Sequence, residues 1–149
     1  MLVSLSIRDV VLVERLDLSF SGGLCVLTGE TGAGKSILLD ALGLALGARG
    51  EKNLVRRDDD KGPQQASVVA EFSVGEKHPA IEILRTHDLD VPEPGESLIL
   101  RRVLTADGRS RAFVNDQSIS IGILRALGEA LVEIEGQFAS QGLLDVAMH

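Results

Sequence analysis

The sequence predicts an α/β fold: a mixed sheet with an antiparallel β layer, joined to a strand–glycine loop–helix unit. Three observations predict it. Residues 2–8 alternate, with Val3, Leu5 and Ile7 on one side and Ser4, Ser6 and Arg8 on the other, which is the period of a half-buried strand. A second alternating run, Leu16, Leu18 and Phe20 against Asp17 and Ser19, follows within a hairpin's reach. The apolar run Leu24-Cys25-Val26-Leu27-Thr28 then leads into Gly29-Glu30-Thr31-Gly32-Ala33-Gly34-Lys35-Ser36 and the helix-forming segment Ile37–Leu46.

The eight-residue stretch fits the spacing G-x-x-x-x-G-K-[ST] of a phosphate-binding loop (P-loop), in the strand-to-helix context the chemistry requires. Gly29, Gly32 and Gly34 let the backbone turn tightly and approach phosphate oxygens without a Cβ in the way. Successive backbone N–H groups form an anion-binding nest at the positive end of the following helix. In this motif Lys35 reaches the β- and γ-phosphates and Ser36 places its hydroxyl on Mg²⁺. The expected ligands are therefore ATP and Mg²⁺.

Composition sets the frame. The chain has 149 residues, 44% hydrophobic and 25% charged, enough for one core. Aromatics are 3%, with no Trp or Tyr, so Leu, Ile, Val and Ala must build that core. A net charge of −7 argues against strong non-specific binding to DNA by this chain alone, since neutralising phosphates takes clustered Lys and Arg. Cys25 is the only cysteine, so no disulfide can form within the chain, and its place in an apolar strand marks it as packing. The N-terminus alternates and carries no signal peptide, and no run approaches the roughly 20 apolar residues of a membrane span. The expected location is the cytoplasm, with no membrane partner.

The remaining elements follow in order. Ser21-Gly22-Gly23 is a hairpin turn, although Phe20–Leu24 superficially looks like the Ser-Gly-Gly core of an ATP-binding-cassette signature. That signature must open a helix, and here a strand follows. The P-loop helix ends near Gly47. Arg49, Arg56 and Arg57 lie in a loop, where a phosphate or partner contact and a plain surface role both remain open. Asp58-Asp59-Asp60-Lys61-Gly62-Pro63 is a solvated turn, because three adjacent carboxylates cannot all face one ion. Ser67–Val74 is a strand and Pro79–His87 a short helix with Ile81, Ile83 and Leu84 inward. His78 and His87 have no metal-ligand spacing and are expected at the surface.

Ser97–Leu104 and Arg111–Val114 are strands joined by a turn at Ala106-Asp107-Gly108, and Asn115-Asp116 turns again. Arg101, Arg102, Arg109 and Arg111 gather on this hairpin, either as a solvated face or as a contact for DNA or a partner. Residues 119–128 favour a helix. Leu131-Val132-Glu133-Ile134-Glu135 favours a last strand.

A P-loop needs a strand ending in an acid (Walker B) for Mg²⁺, and a group that orients water. Only Leu131–Glu135 offers one, with Glu133 or Glu135 as the acid, and it alternates instead of running apolar into Asp. Two readings stay open. Either the catalytic acid lies outside this sequence, leaving no catalytic residue within it, or the chain is a self-contained small NTPase or kinase using Glu133 or Glu135. Gly142–His149 has no stop signal and reads as an interruption inside a longer protein.

Two amphipathic strands ahead of the nucleotide strand resemble the ATP-binding-cassette (ABC) class of P-loop NTPases. The P-loop followed by Ile37 and Asp40-Ala41-Leu42-Gly43 resembles the RecN family of bacterial DNA repair proteins, relatives of the SMC (structural maintenance of chromosomes) ATPases. Leu2–Phe20 resembles that family's opening strands. Leu100-Arg101-Arg102-Val103 with Asp107–Asn115 resembles its central hairpin. Glu133-Ile134-Glu135-Gly136-Gln137 resembles its Q-loop, departing at Glu135 and Phe138, where the family commonly has His.

The resemblance implies that residues 1–149 are the N-terminal half, or lobe, of an ABC/SMC-type head. A coiled coil and a C-terminal half would supply Walker B, signature motif and switch histidine. Two such heads would sandwich ATP as a homodimer, Gln137 would join Ser36 in sensing Mg²⁺ and the γ-phosphate, and either Arg49 or Arg56 would approach the nucleotide. The process implied is recombinational repair of DNA double-strand breaks, with DNA as partner.

Overall fold

The computed structural model describes residues 2–10, 13–19, 32–50, 55, 65–93 and 95–139, with side chains described among them except at 13–14, 32–36 and 132–139. The described elements are β1 (Leu2–Val10), β2 (Val13–Ser19), α1 (Gly32–Ala45), β3 (Gln65–Phe72), α2 (Pro79–Thr86), β4 (Leu98–Thr105), β5 (Ser110–Val114), β6 (Gln117–Ile119) and α3 (Ile121–Ala139). The six strands form one antiparallel sheet in the order β2-β1-β3-β4-β5-β6. The antiparallel layer and the P-loop helix stand as the sequence predicts. The strand expected at 24–28 lies outside the described residues, as do the turns at 21–23 and 58–63.

Alternation decides which side chains face the helices. Ala66, Val68, Ala70 and Phe72 of β3 are buried, as are Leu98, Leu100, Arg102 and Leu104 of β4 and Ala112 and Val114 of β5. With Ala41, Leu44 and Ala45 of α1, Leu84 of α2 and Leu124, Leu127 and Leu131 of α3, they form one core on one face of the sheet. Small residues on β3 let α1 lie close to the sheet.

β1 corrects the simple alternation. Leu2, Leu5, Ile7 and Val10 are buried, and Val3 is not. A register irregularity between Leu2 and Ser4 puts one extra residue against β3, so the inward parity changes there. Asp9, at φ 55°, changes it again before Val10.

The turns have a chemical basis. Asn115 and Asp116 both have positive φ (45° and 68°), the mirror-image turn that suits a two-residue hairpin and that Asn and Asp tolerate. Asn115 also accepts the Ile99 N–H on its Oδ1 at 2.7 Å, tying the turn to β4. This hairpin creates β6, where the sequence assigns no element to 117–118 and begins a helix at Ile119.

α3 is the main departure. It runs from Ile121 to Ala139, so Leu131–Glu135 is helical and not a strand. Leu124, Leu127 and Leu131 are all fully buried, and their spacing of three and four continues one helical face through the segment that also alternates. Helix continuation keeps Leu131 in the core.

His78 is the N-cap of α2, in extended conformation before Pro79, and its Nδ1 accepts the Ala80 N–H at 3.0 Å. It is a half-buried capping group where a plain surface residue was expected. Burial holds its pKa below the ordinary 6.5. The folded chain thus binds fewer protons than the unfolded one. Its stabilising contribution is complete above pH about 6.5 and is lost as pH falls from there through the folded value. His78→Asn, which can cap without titrating, should flatten the fall in melting temperature between about pH 7 and 5; an unchanged slope would remove His78 as its source.

Candidate nucleotide site

The P-loop motif and α1 overlap. α1 begins at Gly32, so the backbone of Gly32, Ala33, Gly34, Lys35 and Ser36 forms its opening residues. The first four N–H groups of a helix have no internal partner, and they carry the positive end of its dipole. Motif and helix terminus coincide in the described backbone. Gly29, Glu30 and Thr31 lie outside the described residues. No acidic residue stands in the first turn of α1 to oppose an anion there.

Beyond this turn α1 is held along its length. Ala41, Leu42, Leu44 and Ala45 are buried, while Asp40 faces outward. The helix ends in a Schellman motif: Ala48 N–H donates to Gly43 O at 2.9 Å, and Gly47 N–H donates to Leu44 O at 3.1 Å. Gly47 takes φ 96°, which glycine adopts without strain.

The C-terminal end of α1 carries no basic residue of its own in the last turn. Two arginines from elsewhere answer its carbonyls. Arg102 of β4, 2% exposed, donates from one guanidinium nitrogen to Leu44 O at 3.0 Å and Ala48 O at 2.9 Å. Its second terminal nitrogen donates to Ser110 Oγ at 3.2 Å. Arg125 of α3 donates from Nε to Gly47 O at 3.3 Å. Burial, with the nearby Arg125 charge, lowers the pKa of Arg102, yet a guanidinium stays protonated across the working range.

The arginine-rich hairpin thus divides. Arg102 turns inward, Arg101 stacks 4.2 Å above the Phe113 ring on the opposite face, and Arg109 pairs with Asp107 in the turn at 2.9 Å. Asp107 also accepts from the Thr105 hydroxyl. Hydrogen bonds from Thr105 and Arg109 hold its pKa below the ordinary value. Arg111 is exposed. In the sequence the four stand as one cluster. The signal for Arg102 was present: with Leu98, Leu100 and Leu104 it shares one parity, the apolar one.

The other candidate residues stand on other elements. Gln137 lies in the last turn of α3, where a loop after a strand was expected, and Glu133 and Glu135 share that helix. A Walker B acid sits at the end of a strand, so the reading that gave Glu133 or Glu135 this role loses its structural basis. Arg49 is exposed just after α1, and Arg56 lies outside the described residues. Among the described residues no group of three or more His, Cys, Asp or Glu is placed to hold a metal ion. Among them, too, no helix is long and apolar enough to cross a membrane.

Comparison with known proteins agrees with this architecture. The AAA domain family matches residues 4–135. The DNA repair protein RecN of Haemophilus influenzae is 43% identical over 144 residues, 97% of this chain and 25% of that protein. RecN of Halalkalibacterium halodurans is 42% identical over 149 residues, 100% of this chain and 25% of that protein. RecN of Bacillus subtilis is 38% identical over the same length and shares. The chain thus spans about a quarter of the length of these relatives.

In structure, the chain is similar to one from work on ATP-driven dimerization and DNA-stimulated activation of SMC ATPases. The TM-score is 0.65 at 18% identity, covering 98% of each chain. An Smc head bound to the C-terminal winged-helix domain of ScpA gives 0.60 at 19% identity, covering 87% of this chain and 40% of that one. RecF gives 0.58 at 16% identity, covering 83% and 29%. At these identities the likeness is one of fold.

Proposed function

Because the chain belongs to the AAA domain family, we propose that it binds ATP as the N-terminal half of an SMC-like ATPase head acting in recombinational repair of DNA double-strand breaks. One observation carries the reading: α1 opens inside the P-loop motif, at Gly32, so the motif's own backbone supplies the helix N-terminus on which phosphate rests. The sequence likeness to RecN proteins over nearly the whole chain, and the fold shared with SMC heads, support the choice of family branch.

In this reading Gly29 to Ser36 cradle the phosphates, Lys35 neutralises the β- and γ-phosphates, and Ser36 and Gln137 hold Mg²⁺. Bound ATP and Mg²⁺ supply the phosphoryl chemistry. This chain binds, orients and excludes water on one side of the site. The C-terminal half of the head supplies the catalytic acid, a second head closes over the nucleotide, and DNA is the partner of the assembled protein. The location is the cytoplasm, at the nucleoid when on DNA.

The experiment is nucleotide titration of this chain together with a turnover assay. Mg²⁺-dependent ATP binding with little or no hydrolysis is expected. Robust turnover that disappears in Glu133→Gln would sink the half-site reading and restore the self-contained one.

A further inference from the structure

We propose that Arg102 is a positioning residue for the phosphate-binding loop: from β4 it clamps the C-terminal end of α1 and so sets where the N-terminal end of that helix stands. The inference rests on the reading of Gly32–Ser36 as a phosphate site.

Arg102 occupies a place that chain patterning reserves for an apolar side chain. It is the one charged group in the inward row Leu98, Leu100, Arg102, Leu104, and at 2% exposure its guanidinium is removed from water. A buried ion is costly, and an apolar side chain of similar size at such a site is often neutral or better for stability. Stability is therefore a poor explanation for it. What the guanidinium does that Leu or Met cannot is donate to two carbonyls at once, Leu44 O and Ala48 O. Those two oxygens lie on opposite sides of the Gly47 turn, so the contact grips the end of the helix and the segment that leaves it.

The surroundings are built around this grip. Ser110 of β5 accepts from the other terminal nitrogen. Gly50 lies close against it, since a Cβ there would stand 2.9 Å from Ser110 Oγ and 3.1 Å from the Arg102 guanidinium, so these side chains would have to shift. Three segments thus meet at one side chain: the β4–β5 hairpin, the end of α1 and the chain that follows it.

The effect on the phosphate site is mechanical and not directly electrostatic. The 14 residues of α1 span about 21 Å, roughly two and a half Debye lengths in physiological salt, so the Arg102 charge itself adds little at the other end. A helix moves as a unit, however. Displacement of the N–H nest by a fraction of an ångström is enough to weaken every phosphate contact together, just as a 1 Å misplacement of reacting groups costs about a hundredfold in catalytic rate.

The test compares Arg102→Met, Arg102→Lys and Leu100→Ala in the full chain. Leu100→Ala is the control because it removes core volume from the same inward row. Two quantities are read: affinity for a fluorescent ATP analogue, and amide hydrogen exchange across residues 32–38 without nucleotide. Arg102→Met should weaken binding about tenfold or more and raise exchange at 32–38. Leu100→Ala should lower the melting temperature yet leave affinity within about twofold and exchange at 32–38 near the parent's. Arg102→Lys keeps the charge and one donor nitrogen but cannot reach Ser110 and the two carbonyls from separate nitrogens, and should fall between, with about a threefold loss.

Parent-like affinity in Arg102→Met, or an equal loss in Leu100→Ala, overturns the proposal. If Arg102→Met does not fold, Arg102→Lys decides by the same two readouts. If the parent binds no nucleotide, the phosphate-site reading fails by itself. Exchange at 32–38 then still reports whether Arg102 positions the start of α1, and unchanged exchange overturns it.

Discussion

Gly128→Ala is expected to destabilise the chain by about 3 kcal/mol, although alanine is the better helix former. The propensity gain of Ala over Gly in a helix interior is about 1 kcal/mol. Against it stands a collision. Gly128 lies in the middle of α3, and a Cβ there would press on the Leu46 carbonyl oxygen, with Leu46 C at 2.8 Å and Leu46 Cα at 2.9 Å. These are backbone atoms at the end of α1, so no side-chain rotation relieves the overlap, and α3 must move away from α1.

Such overpacking costs about 1–3 kcal/mol even where side chains can adjust, and here the yielding group is backbone. The melting temperature should fall by about 10 °C for a chain of this length. Chemical denaturation of Gly128→Ala beside the parent checks it. A midpoint equal to or above the parent's would mean that the helices do not approach so closely. Gly47 sits on the same seam, where a Cβ would stand 2.6 Å from Arg125 N and 2.9 Å from Arg125 Cβ.

Lys35→Ala is expected to lower ATP affinity by at least about a hundredfold while leaving the fold intact. Removing a charged donor from a phosphate contact costs about 3 kcal/mol, which is about two powers of ten in Kd. Circular dichroism and the melting temperature should match the parent. Titration calorimetry decides: unchanged affinity in Lys35→Ala would refute its phosphate role. Paired with Arg102→Met, the variant separates two ways of losing nucleotide. Lys35→Ala should leave apo hydrogen exchange at 32–38 unchanged, whereas Arg102→Met should raise it.

Much of this protein is written in local patterns. The P-loop spacing, Gly29 to Lys35-Ser36, is a chemical requirement of a phosphate cradle and needs no tertiary information to be read. The hairpin turns at Asp107-Gly108 and Asn115-Asp116 follow from residues that tolerate positive φ, and β3, β4 and β5 from alternation. The likeness to the RecN family was also legible, because a P-loop and an arginine-rich hairpin occur together in one chain.

What tertiary structure decided are the places where local signals were evenly matched. Leu131–Glu135 alternates like a strand, but Leu124, Leu127 and Leu131 continue a helical stripe, and burying that stripe won. This choice removed the strand on which Glu133 or Glu135 would have served as a Walker B acid. A bulge at the start of β1 exchanged Val3 for Leu2 in the core. Arg101 and Arg102 are adjacent and chemically alike, and only the parity imposed by sheet pairing sends one over Phe113 and the other under α1. The sequence by itself determined the phosphate-loop spacing at the start of α1. Only the packing of β4 and α3 decided which groups answer the carbonyls at the other end, because a buried helix end needs donors, and here they lie far away in the chain.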